Sequence, residues 1–283
     1  LSFAIRQNRG EGKCPHFLDF FPTVTLNQVL LLLATLAFAG GAVHALTVLR
    51  AGRWHKSQWQ WVLIFVGFAL QTGFMYFRGK EVGQCPMKSL PDILVFISWS
   101  MVLLYFLVGS AYRLSLLGVF TGPLVAGLLA LSSVLPGAFG AYPAKAKIVA
   151  LIELHVAVAL VAYAAFAMAA VTGVMYLLQE RLLKSHRIGQ LFFQLPPIRE
   201  LSKAILRLVL LGVLLLSLAL GLTFLLEPSM GVTRSKLVFA WSVWGLYAVI
   251  ALLMWRHSVS PRRTAWLAVA GFSLPFVSLW IVS

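Results

Sequence analysis

One histidine stands inside a long apolar stretch: His155, in Ile152-Glu153-Leu154-His155-Val156. An ionisable side chain inside a membrane-length apolar block is costly, so it is a candidate site by default. Neutral imidazole ligates haem iron and other metals, and apolar surroundings keep it neutral. The same residue also reads as packing glue, hydrogen-bonded to a neighbouring helix. The residue types leave both readings open. Glu153 is two residues away and points to a different helix face, so it reads as an interfacial carboxylate that does not orient His155. His44, after Gly40-Gly41 near the inner end of the first apolar block, is a second candidate internal ligand; the alternative is packing, or a place near the headgroups. His257, beside Arg256, reads as interfacial, and His55 and His186 as exposed in basic loops. Gln71 needs a hydrogen-bond partner, with helix–helix bonding its default role. The run after His155 is rich in alanine (Ala157, Ala159, Ala162, Ala164, Ala165, Ala167, Ala169, Ala170), which lets another helix or a flat cofactor approach the backbone. No nucleotide-binding signature of the GxxxxGK[ST] or GxGxxG kind occurs, and no second group is clearly placed beside His155 for catalysis. The chain therefore reads as a binding protein and not an enzyme.

The elements that must carry these residues follow from composition. The 283 residues are 60% hydrophobic and 11% charged, with a mean hydropathy of +0.91. A soluble domain carries about 25% charged residues, so a water-soluble globule is excluded. Blocks of about 20 apolar residues match the hydrocarbon thickness of a bilayer, and without water each must close its own backbone hydrogen bonds as a helix. The blocks lack period-2 alternation, which argues against a β-barrel. The expectation is an all-α polytopic membrane bundle of about eight transmembrane helices, near 24–49, 59–77, 91–109, 114–135, 147–178, 204–226, 236–255 and 264–282. Pro123 and Pro275 should kink theirs.

The formal charge of +15 does not indicate nucleic acid, because Lys and Arg are spread over many short loops. The loops after spans one, three, five and seven hold Arg50, Arg53, Lys56, Arg113, Arg181, Lys184, Arg187, Arg199, Lys203, Arg207, Arg256, Arg262 and Arg263, more than half of the 23 basic residues. Positive charge favours the cytoplasm, so both termini are expected to be extracytoplasmic in a plasma (inner) membrane, with the lipid bilayer as the first partner. The cluster between spans five and six carries most of this argument. Residues 1–22 read as an extracytoplasmic N-terminal segment and 23–283 as the transmembrane domain. Cys14-Pro15 and Cys85-Pro86 then both lie outside, where a disulfide or a transient haem-thiolate contact competes with coincidence.

Three stretches make the chain resemble the cytochrome c assembly family of haem-handling membrane proteins, especially its HemX-like branch, from about residue 28 onward. The first is Ala69-Leu70-Gln71-Thr72-Gly73-Phe74 with Gly83-Gln84-Cys85-Pro86-Met87-Lys88-Ser89-Leu90-Pro91-Asp92 and Phe96-Ile97-Ser98-Trp99. The second runs from Leu154-His155-Val156 through Tyr163-Ala164-Ala165-Phe166 to Tyr176-Leu177-Leu178-Gln179-Glu180. The third is Leu195-Pro196-Pro197-Ile198-Arg199-Glu200-Leu201. The resemblance implies that His155 is an axial haem ligand. It also implies haem as cofactor and cytochrome c biogenesis proteins as partners. The chain departs from the synthetase branch, which carries a tryptophan-rich outer motif; residues 227–235 hold no tryptophan, and Gln71 stands where that branch tends to carry histidine. HemX-like relatives imply an alternative: a membrane regulator acting on a cytoplasmic haem-biosynthesis enzyme through the 179–203 loop, or an accessory of a metal-efflux system, without bound haem.

Overall fold

The computed structural model describes residues 26–50, 58–112, 117–136, 150–185, 197–224, 234–256 and 258–282. The described residues are helical almost throughout: α1 (Leu26–Arg50), α2 (Gln58–Val82), α3 (Leu90–Tyr112), α4 (Leu117–Val134), α5 (Ala150–Lys184), α6 (Ile198–Thr223), α7 (Arg234–Trp255), α8 (Pro261–Gly271) and α9 (Ser273–Val282). Seven of them, α1 to α7, are long and apolar enough to cross a membrane. Their outward faces carry Leu32, Leu36, Phe65, Leu214, Leu218 and Val238, all exposed. Such a surface suits acyl chains, against which leucine loses nothing. The chain is a multi-pass helical membrane protein.

The expected eighth span is divided. Pro275 has no amide hydrogen and cannot donate to the carbonyl of Gly271, four residues back, and its ring crowds that carbonyl. The helix is interrupted there, at Phe272. Pro123 has a milder effect: α4 continues as helix through it. Two other ends differ from expectation. α2 runs five residues past 77 and carries Arg78, Lys80 and Glu81 within it. α6 begins at Ile198 rather than 204, because Pro197 starts it and its polar first turn is stabilised by a Glu200–Lys203 pair at 3.0 Å.

Within the first half, α1 packs on α2 and α4, and α4 on α3; in the second, α5 packs on α6 and α8, with α7 against α6. α3 joins the halves by packing on α5. The most intimate contact is α5 against α6, where the alanine-rich run of α5 is buried. Phe166 of α5 stacks on Tyr247 of α7 with ring centroids 3.6 Å apart. It passes so close to Gly212 of α6 that a Cβ there would lie 2.3 Å from the ring. Gly173 does the same for α8, where a Cβ would lie 2.9 Å from the Ala265 carbonyl oxygen.

Candidate functional site

His155 is the sixth residue of α5 and is half-buried. Its Nδ1 lies 2.7 Å from the carbonyl oxygen of Ala219 on α6. A carbonyl can only accept, so Nδ1 carries the proton, and in the neutral ring Nε2 keeps its lone pair. Ala219 sits one turn from the end of α6, where the helix dipole is negative, so its carbonyl readily accepts a second donor. One ring nitrogen is therefore spent on the helix contact, and the other keeps a lone pair with which an imidazole can ligate a metal. Metal-binding imidazoles commonly have their second nitrogen oriented by a carbonyl in this way.

Glu153 turns to another neighbour, as its spacing required. Its Oε1 accepts the backbone N–H of Cys85 at 3.2 Å, which ties the α2–α3 loop to α5 two residues from His155. That loop is built to be firm. Gly83 ends α2 with φ +67°, a left-handed position that glycine occupies without steric penalty. Ser89 caps α3, accepting the Asp92 N–H at 3.3 Å and donating its hydroxyl to Asp92 Oδ2 at 2.6 Å. Met87 is buried beneath. Burial pushes the Cys85 thiol pKa up, and the Glu153 carboxylate adds to the shift. Cys14 lies outside the described residues, as do residues 1–22.

A charged group that the sequence reading passed over lies at this same end. Arg78 is 1% exposed and Asp92 4%, with Arg78 Nε 3.5 Å from Asp92 Oδ1. Arg78 Nη1 reaches Glu81 Oε2 at 3.2 Å, and Asn27 Nδ2 of α1 donates to the same oxygen at 2.6 Å. The available signal was an arginine and an aspartate each within a turn of an apolar block. Reading the block as ending at 77 put Arg78 in a loop and hid it. Two motif pairs from the family resemblance also meet. Gln71 Nε2 donates to the Val95 carbonyl at 2.9 Å and to Ser98 Oγ at 2.7 Å, and Trp99 Nε1 donates to Thr72 Oγ1 at 3.0 Å.

The structure does not bring His44 to His155. The Asn27–Glu81 and Cys85–Glu153 bonds place the starts of α1 and α5 at one end of the bundle. At 1.5 Å per residue, His44 is then about 27 Å down α1 and His155 about 8 Å down α5, on helices that do not pack closely together. Among the described residues, no group of three or more His, Cys, Asp and Glu side chains could hold a metal ion. His257 and residues 186–196 lie outside the described residues.

The fold and site thus define a polytopic helical membrane protein that presents one oriented imidazole near one end of its bundle. Residues 87–283 match the sequence model of the family described as Cytochrome C assembly protein, and the chain belongs to that family. It is similar to Protein HemX of Brevibacillus brevis, 32% identical over 194 residues, which cover 64% of this chain and 71% of that protein. It is also similar to Protein HemX of Bacillus subtilis (strain 168), 27% identical over 164 residues, which cover 57% of this chain and 59% of the relative.

Proposed function

We propose that this chain handles haem in the membrane, binding it through His155 Nε2 in support of cytochrome c biogenesis, and that it acts by holding its ligand and not by catalysis. The observation that carries the reading is the 2.7 Å bond from His155 Nδ1 to the Ala219 carbonyl, which frees Nε2 as the ligand atom. A lone imidazole suits haem in particular, because the macrocycle brings four nitrogens of its own and asks the protein for one axial position. When bound, haem supplies a redox-active iron. Ala159, one turn along the same helix face as His155, is only partly buried, and its small side chain would let a flat group approach α5 there. The Cys85–Glu153 bond holds the α2–α3 loop at the same end of the bundle. His44, towards the other end of α1, is left out of this site. The orientation we propose puts the His155 end outside a plasma membrane. What supports it is that Arg181, Lys184, Arg199, Lys203, Arg262 and Arg263 gather at the opposite end, and positive charge is retained in the cytoplasm.

The test is an absorption spectrum of the detergent-purified protein from haem-replete cells, repeated on His155→Ala. A Soret band that is lost or displaced by the substitution is expected. Folded wild-type protein without a Soret band would refute haem binding, and a band unmoved by His155→Ala would refute the ligand assignment.

A further inference from the structure

The break between α8 and α9 lies inside the membrane. Gly271, the last residue of α8, is about 15 Å along that helix from Pro261. Pro275 removes the amide that would have bonded the Gly271 carbonyl, and no other donor among the described residues reaches that oxygen. The preceding carbonyl shows the contrast: Ala270 accepts the Phe272 N–H and, at 2.7 Å, the Ser273 hydroxyl. Gly271 is buried, so its carbonyl has no surface to turn to. A carbonyl without a donor is costly in the bilayer interior, where bulk water does not reach it.

A second group at the break has the opposite need. Tyr247, past the middle of α7, is wholly buried, and its Oη has no hydrogen-bond partner among the described residues. It faces Gly271. A Cβ built on that glycine would stand 3.7 Å from both Oη and Cζ of Tyr247 and 3.4 Å from Ile250 Cδ1. These are ordinary contact distances, so the glycine leaves a methyl-sized gap against the hydroxyl. The hydroxyl cannot swing across it, because its ring is stacked on Phe166 at 3.6 Å and Phe166 is pinned over Gly212. A buried donor and a buried acceptor thus come to the same residue without bonding each other.

We infer that one water molecule is built into this break, accepting the Tyr247 hydroxyl proton and donating to the Gly271 carbonyl. Water both donates and accepts, which is what these two groups require of a mediator. The gap is too small for an organic ligand. A metal cation would call for carboxylates, and α7, α8 and α9 hold none. Two protein partners are the fewest that a buried water commonly has. Ordered water is one of the means by which a proline break in a membrane helix regains its hydrogen bonds. The bridge ties the corner between α8 and α9 to α7, and through the Phe166 stack to α5. It does not depend on the haem reading.

The experiment is X-ray radiolytic footprinting of the full chain in lipid nanodiscs, read residue by residue by mass spectrometry. Radiation splits a bound water in place and oxidises the side chain it touches, so Tyr247 should be oxidised well above Phe74, which is also deeply buried. Gly271→Ala fills the gap at ordinary contact distance and should remove the excess. Thermal melting supplies the second readout. Tyr247→Phe should lower Tm by roughly 2–4 °C, the loss of about one hydrogen bond in a chain of this size. In a Pro275→Ala background, where the Gly271 carbonyl regains an amide, that loss should shrink. Tyr247 oxidised no more than Phe74 would overturn the proposal, since a lower Tm for Tyr247→Phe would then report a direct bond. Tyr247→Phe as stable as wild type or more so would also overturn it, by showing a hydroxyl bonded to nothing. An undiminished loss beside Pro275→Ala would do the same, by removing the Gly271 carbonyl from the site.

Discussion

Gly212→Ala is expected to loosen the seam that positions His155. The added Cβ would lie 2.3, 2.6 and 2.9 Å from three atoms of the Phe166 ring. Carbon atoms pack at about 3.5–4.0 Å, so the ring edge must retreat by about 1 Å or α6 must move away from α5. The ring has nowhere to go. It is wholly buried and already stacked on Tyr247 at 3.6 Å, and Tyr247 is itself wholly buried. Overpacking of this kind costs about 1–3 kcal/mol. Alanine regains up to about 1 kcal/mol of helix propensity, which leaves a net loss near 1–2 kcal/mol. In a chain of this size that lowers Tm by roughly 2–6 °C. Gly212 lies two turns from Ala219 on one face of α6, so the displacement reaches the carbonyl that holds His155 Nδ1. Thermal unfolding in detergent measures the loss. Gly221→Ala on the same helix is the control, since nothing lies within 4 Å of a Cβ there. Adding Phe166→Leu to Gly212→Ala should recover much of the difference as a favourable coupling. If Gly212→Ala melts with Gly221→Ala, the close α5–α6 contact is wrong.

Three further outcomes are expected. Arg78→Met leaves Asp92 buried beside an apolar side chain and should cost about 3–5 kcal/mol, with Arg78→Met/Asp92→Leu recovering most of it in the same melting assay; a single variant as stable as the double would contradict the buried pair. In a Cys14→Ser background, Cys85 should react slowly with iodoacetamide near neutral pH, because a raised thiol pKa leaves little thiolate, and the rate should climb as pH rises through the alkaline range. Glu153→Gln keeps the acceptor for the Cys85 N–H and removes the charge, so it should speed the reaction; no change would deny the carboxylate its effect. A reporter fused at Ser283 should register as extracytoplasmic, and cytoplasmic activity would invert the orientation proposed for the His155 end.

The helices were legible because their signal is local. An unbroken apolar block has one outcome in a bilayer, and α1, α3 and α7 begin and end within three residues of the expected bounds. The errors fall where charge meets helix. Arg78 and Lys203 read as loop residues, yet each lies within a helix, because a partner three residues away or across the bundle makes burial or interfacial placement affordable. Asp92 is 14 positions from Arg78, and no periodicity connects them. His155 was visible as a candidate from its setting alone. Its orientation was not, because Ala219 contributes a backbone carbonyl and any residue at that position would offer the same atom.

The way α3 carries most of the packing between α1–α4 and the later helices bears on how the chain is made. The first four helices meet most of their eventual neighbours before α5 has been synthesised, so they can assemble while the rest is still on the ribosome. α5 then arrives as a 35-residue rod with one surface to find, and the Cys85–Glu153 bond sits where its leading end docks. His155 enters the membrane in that same first segment and waits for α6 to supply its carbonyl. The imidazole becomes oriented only when the second half closes, which makes completion of the bundle the step that fixes its tautomer.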